Sequence, residues 1–87
     1  MHEASLMNSL MNKIFSIAEH EGGRKVSEVS VWLGALSHMS ADHFRQHYDQ
    51  AAAGTIADHA ELDIEISDDI RHPDAQHVVL KSIEVAV

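Results

Sequence analysis

Not one cysteine occurs among the 87 residues of this chain. That excludes disulfides, cysteine-ligated zinc, iron–sulfur clusters and thiol catalysis together. The fold must therefore rest on buried apolar side chains alone. The length suffices for one small domain with one core, spanning residues 1–87, and not for two. Hydrophobic residues make up 45% of the chain, an ordinary share for a globular protein and too large for a disordered one.

Residues 4–20 have helical periodicity. Leu6, Met7, Leu10, Met11, Ile14, Phe15, Ile17 and Ala18 recur at three- and four-residue spacing, and Ser5, Asn8, Ser9, Asn12 and Ser16 take the other face. Met7 and Met11 read as core filler, because methionine adapts to irregular packing. Gly22-Gly23 stops the helix. Residues 26–36 then read as a strand. Val29, Val31 and Leu33 share one parity, and Glu28, Ser30 and Trp32 the other. A tryptophan on the second face implies partial cover there, and Gly34 marks a bulge or a close backbone approach.

Ser40 is an expected N-cap for a second helix over residues 41–53, with Phe44, Tyr48, Ala51 and Ala52 as its apolar stripe. Residues 60–66 alternate as a strand, with Leu62, Ile64 and Ile66 inward. Residues 67–77, SDDIRHPDAQH, form a polar loop. The last strand, 78–87, switches parity near Lys81-Ser82, which implies a bulge or a break in pairing. The order α-β-α-β-β predicts an α+β domain: a small three-stranded sheet with two helices on one face. The last two strands are expected to form a hairpin, and the strand–helix–strand unit a parallel crossover or a split arrangement.

The formal charge is −8, from six basic and fourteen acidic residues. Nucleic acid and anionic membrane both require a basic face, so the balance argues against them and is compatible with metal cations or a basic protein partner. No segment approaches the ~18 apolar residues of a membrane span, and no basic region precedes an apolar run at the N-terminus, so a cytoplasmic location is expected. No glycine-flanked nucleophile, phosphate loop or catalytic spacing marks an enzyme.

Eight histidines are the unusual count. In Met1-His2-Glu3 the terminal amine, the His2 amide and the His2 imidazole place three nitrogens on one short stretch of backbone. A divalent ion that displaces the amide proton closes two fused rings on them, and the Glu3 amide or carboxylate completes a plane, an arrangement suited to Ni(II) or Cu(II). Protons compete for the amine (pKa about 8) and the imidazole (about 6.5). His43 and His47, in HFRQH, fall on one helical face at the spacing of helical zinc sites, without the glutamate of zinc proteases. His72, Asp74 and His77 are a looser candidate group in the polar loop.

The stretches MHEASLMNSL, VSEVSVWLGALS, GTIADHAELDIE and LKSIEV together resemble the HypA/HybF family of nickel-incorporation proteins. The resemblance runs over nearly the whole chain in the family's order. It implies a two-helix, three-stranded nickel domain and makes Met1, His2 and Glu3 the Ni(II) ligands. It also implies delivery to a maturation GTPase and a hydrogenase large subunit, with urease as a further client. The family's zinc-binding insertion with two CxxC pairs is replaced by the cysteine-free residues 67–77, so zinc is not expected there. Where some members carry an acidic residue near position 40, this chain has Ser40 and, two residues on, Asp42, which leaves His38 or Asp42 as a further ligand. The expected function is thus a non-enzymatic nickel metallochaperone. The alternative is a HypA-like interaction or dimerisation module that has lost metal delivery.

Overall fold

The structure, a computed structural model, describes residues 2–86, with side chains described from Ser5 to Ala86. Its elements are α1 (His2–His20), β1 (Lys25–Leu33), α2 (Ala41–Ala52), β2 (Glu61–Ile66) and β3 (Val78–Ala86). This is the expected α+β order. Along α1, Met7, Leu10, Met11, Ile14 and Ala18 form one buried stripe, while Ile17 falls off that face and is 40% exposed. Gly22 ends the helix at φ +68°, where a Cβ would be strained. The Gly22 N–H donates to the Glu19 carbonyl and the Gly23 N–H to the Ala18 carbonyl, at 3.1 and 3.0 Å. That pair of bonds is a Schellman cap.

β1 is the centre of the sheet, in the order β2-β1-β3. It pairs parallel with β2, from Glu28 opposite Glu61 to Leu33 opposite Ile66. With β3 it pairs antiparallel, from Lys25 opposite Ala86 to Leu33 opposite Val78. The expected β2–β3 hairpin is therefore wrong: both strands flank β1. The reason lies in burial. Val26, Val29, Val31 and Leu33 of β1 have no solvent exposure, whereas β2 keeps one polar face and an exposed Ile66. The most apolar strand takes the middle, and α2 provides the crossover that a parallel pair requires.

Residues 67–77 carry the chain from one sheet edge to the other, across the end of β1. Ser67 N–H donates to the Leu33 carbonyl (2.9 Å), Gly34 N–H to the His77 carbonyl (2.9 Å) and Leu36 N–H to the Ala75 carbonyl (2.7 Å). Gly34 is the close approach anticipated from sequence, since a Cβ there would run into the Ala75 carbonyl and lie 2.7 Å from the Asp74 oxygen. β3 shifts register between Ser82 and Leu80, leaving Lys81 as the extra residue, where the sequence parity switched. Val78, Leu80, Ile83 and Val85 consequently all reach the core. A second shift, at Ser27, lets Val26 and Val29 both point inward.

The helices close over the inner face of this sheet. Ile14 of α1 and Phe44 and Tyr48 of α2 join the β1 valines in one cluster, none more than 1% exposed. Each such side chain removed from water contributes roughly 1.5–3 kcal/mol. Among the described residues, no helix is long and apolar enough to cross a membrane.

Candidate metal centre

α2 carries two histidines whose rings are in contact. Ser40, at φ −81° and ψ 163°, is its N-cap: the Oγ accepts from the His43 N–H at 3.1 Å, and the Ser40 carbonyl accepts from the Phe44 N–H at 2.9 Å. From that start, Phe44, Tyr48 and Ala52 project into the core. His43 and His47 lie one residue earlier in each turn and flank that stripe, half-buried. Their Nε2 atoms are 2.8 Å apart, with ring centroids at 4.6 Å and planes inclined by 48°. At that separation one ring nitrogen donates and the other accepts, with the roles set by the tautomers of the two rings. Spacing alone placed these rings on one face; the nitrogen contact adds that they converge.

The ligands expected at the N-terminus divide differently. Met1 lies outside the described residues, as do the side chains of His2 and Glu3. α1 begins at His2, and the first N–H groups of a helix have no intrahelical acceptor. His38 occupies the loop before α2 in the left-handed region, φ 58°, and is exposed. Asp42 is exposed in the first turn of α2, where the helix dipole favours a carboxylate.

His72, Asp74 and His77 do not converge. Among the described residues, no group of three or more His, Cys, Asp or Glu side chains is placed to hold a metal ion. Instead His72 Nδ1 accepts the Asp74 N–H at 2.9 Å, and its ring packs on Trp32 with centroids 4.6 Å apart. The loop is a turned cap on the sheet, and the partial cover expected for Trp32 is that histidine. Nothing in the spacing of SDDIRHPDAQH could have indicated it.

The outer sheet face is acidic. Glu28 lies between Glu61 and Glu84 across the three strands. A hydrogen bond with Glu84 raises the Glu28 carboxyl above the ordinary range, helped by desolvation and by the charges of Glu84, Glu61 and Asp63. At the far end of the face Lys81 Nζ meets Glu65 Oε1 at 2.8 Å, and that contact raises the lysine.

Comparisons with known proteins agree on one family. The family model described as "Hydrogenase/urease nickel incorporation, metallochaperone, hypA" matches residues 1–72. The hydrogenase maturation factor HypA of Rhizobium leguminosarum bv. viciae is 38% identical over 64 residues, which are 74% of this chain and 57% of that protein. The HypA of Chlorobium limicola is 37% identical over 65 residues, 75% of this chain and 56% of its own length. The chain thus spans about half the length of the curated relatives it matches. In fold it is similar to the solution structure of the nickel metallochaperone HypA from Helicobacter pylori, with a TM-score of 0.78 at 19% identity over 95% of this chain and 96% of the other. With a family model covering residues 1–72 and relatives above 35% identity, this chain belongs to the HypA family of hydrogenase and urease nickel-incorporation proteins.

Proposed function

We propose that this chain is a nickel metallochaperone that holds Ni(II) at Met1-His2-Glu3 and passes it to a nickel enzyme during maturation. The observation that carries the reading is that the family match begins at residue 1 and so includes the tripeptide. Chemistry supports it. With α1 starting at His2, the amides of His2 and Glu3 lie in the first turn, where no backbone carbonyl of the helix competes for them. A deprotonated amide is also favoured at the positive end of the helix dipole. In a chain whose Met1 amine is free, amine, His2 amide and imidazole supply three planar nitrogens, and Glu3 a fourth donor. His38 and Asp42 are the remaining candidates for that fourth position.

Residues 1–87 then act as one nickel-binding domain, with residues 67–77 standing where the family's zinc insertion would lie. Ni(II) is cargo rather than a resident cofactor, and release is by ligand exchange. The expected receivers are a maturation GTPase and a hydrogenase large subunit, the latter in keeping with the names of the relatives.

The alternative, an interaction module working by strand exchange, would use the two open sheet edges. Both edges are blunted. β2 alternates Glu61, Asp63 and Glu65 along its length, and β3 is interrupted at Lys81. Charges and bulges at an edge oppose pairing with another chain.

Equilibrium dialysis against Ni(II) tests the assignment. His2→Ala and, separately, acetylation of Met1 are each expected to weaken binding at least tenfold. Acetylation is preferable to a one-residue extension, which would create a new amine-X-X-His chelate. Unchanged affinity in both altered chains would rule the tripeptide out.

A further inference from the structure

Both helices pack on the inner face of the sheet, and among the described residues no helix covers the outer one. That outer face takes alternate residues from three strands. Its first row sets Glu61, Glu28 and Glu84 side by side, because Glu28 is the register partner of Glu61 in β2 and of Glu84 in β3. Asp63 and Glu65 continue the acidic series along β2. Like charges directly opposite one another across a sheet oppose its formation. The chain nevertheless places five of its fourteen acidic residues here.

Nothing within the chain relieves this repulsion at the Glu28 row. Every influence on the Glu28 carboxyl raises it, first the hydrogen bond with Glu84, then desolvation, then the charges of Glu84, Glu61 and Asp63. Among the described residues, Glu28, Glu61 and Glu84 have no lysine or arginine partner. The other end of the face shows how relief is arranged. Lys81 of β3 reaches across β1 and seats its ammonium on Glu65 of β2 at 2.8 Å. That lysine is a cation docked on the outer face by the chain itself. Beside it lies Trp32, the register partner of Glu65 and the only tryptophan.

The arrangement narrows the occupant. No group of three or more His, Cys, Asp or Glu side chains among the described residues is placed to hold a metal ion, so a bare cation fits poorly. A second copy of this chain, at a formal charge of −8, would meet its own sign. Carboxylates set on strands about 4.8 Å apart match several positive charges spread along one polypeptide. We propose that the outer face of the sheet docks a lysine- and arginine-rich segment of a protein partner, whose cations take the places beside Glu28, Glu61 and Glu84 that Lys81 takes beside Glu65. Exposed ion pairs of this kind steer and orient a partner more than they hold it, which suits a transient encounter. The face lies across the sheet from α1 and α2, and the inference does not rest on the terminal nickel chelate.

The test uses the full chain and deca-lysine as the probe, at physiological ionic strength. Amide shifts followed by NMR are expected to saturate and to centre on Glu28, Glu61, Asp63 and Glu84, with Trp32 fluorescence changing in step. The titration of the Glu28 carboxyl is expected to move down toward the ordinary range once ammonium groups sit beside it. Glu28→Gln, Glu61→Gln and Glu84→Gln combined are expected to weaken binding about tenfold, since three exposed ion pairs are lost together. A matched control, Glu19→Gln with Glu21→Gln and Asp68→Asn, removes the same charge from exposed positions elsewhere and is expected to change affinity by no more than about twofold at this screening. Equal weakening in the two variants would assign the binding to net charge and overturn the face. Shifts centred on α2 or on residues 67–77 overturn it too, as do the same shifts with Mg(II) alone, which would make the face a cation site. The shift map comes from the unsubstituted chain, so it decides the matter even where the triple variant does not fold.

Discussion

Two stripes run side by side along α2. Phe44, Tyr48 and Ala52 are at most 1% exposed and close the core against β1. His43 and His47 stand one residue away, about 100° around the helix, and are half-buried. Both stripes have the same four-residue spacing and the same backbone. They differ in what surrounds the side-chain tips. A phenyl ring in a dry cluster contributes its burial and nothing else, whereas a half-buried imidazole also brings ring nitrogens that hydrogen-bond. The dry stripe therefore sets where the wet one points, and the two should come apart cleanly under substitution.

The largest separation is expected from Phe44→Ala. Removal of a fully buried phenyl costs about 3–5 kcal/mol through lost transfer energy and the cavity left behind, a large part of the ~5–15 kcal/mol that holds a domain together. Urea unfolding measures it, and a loss below about 1 kcal/mol would show that the stripe is not core. Tyr48→Phe is expected to cost less, about 1–2 kcal/mol, because it removes the 2.8 Å hydroxyl bond to the Ala57 carbonyl and leaves that oxygen only the longer, 3.4 Å bond from the Ala60 N–H.

The same tyrosine gives a pH signature. Burial, with the charges of Asp49 and Asp58 adding, pushes Tyr48 up to about 12, against about 10 in an unfolded chain. The folded state therefore keeps a proton that the unfolded state gives up first. The associated stability is complete below pH 10 and is lost as the pH rises from about 10 to about 12. Tyr48 is the only tyrosine, so tyrosinate absorbance reports it alone. Ionisation near 10 in the folded chain would contradict the buried hydroxyl.

Much of the dry stripe was legible beforehand, and the reason is periodicity. Phe44 and Tyr48 on α2, Met7 to Ala18 on α1, and Val29 to Leu33 on β1 all follow from spacing. The parity switch at Lys81 likewise announced its bulge. Val26 broke the pattern because the shift at Ser27 returns it to the inner face, and a parity switch marked by a single apolar residue at the start of a strand is easily passed over in sequence. The edge taken by β3 was misread because strand order is decided by competition for the centre of the sheet. Residues 67–77 held the available clue, since eleven residues exceed the two to five of a hairpin loop. The site was legible in residue type and not in distance. HFRQH told of a shared face, but convergence to 2.8 Å depends on two χ1 and χ2 choices made against the packed helix. The cap of His72 on Trp32 was invisible for the same reason.

The N-cap joins the two stripes, because Ser40 Oγ holds the N–H of His43 itself. Ser40→Ala is expected to cost about 1 kcal/mol, within the usual range of about 0.5–2, and to loosen the first turn where His43 sits. Thermal unfolding gives the first effect, and faster amide hydrogen exchange at His43 gives the second. A cap worth nothing measurable would mean that α2 is positioned by Phe44 and Tyr48 alone.

The smallest stability effect is expected at the histidine stripe. His43→Gln or His47→Gln removes one imidazole from a half-buried flank, replaces it with a slightly better helix former, and leaves an amide that can still bond the other ring. The expected change is about 0.5 kcal/mol or less, in the range of surface substitutions, and urea unfolding measures it. A destabilisation approaching that of Phe44→Ala would mean the histidines are part of the core, and the division of α2 into a structural and a chemical stripe would fail.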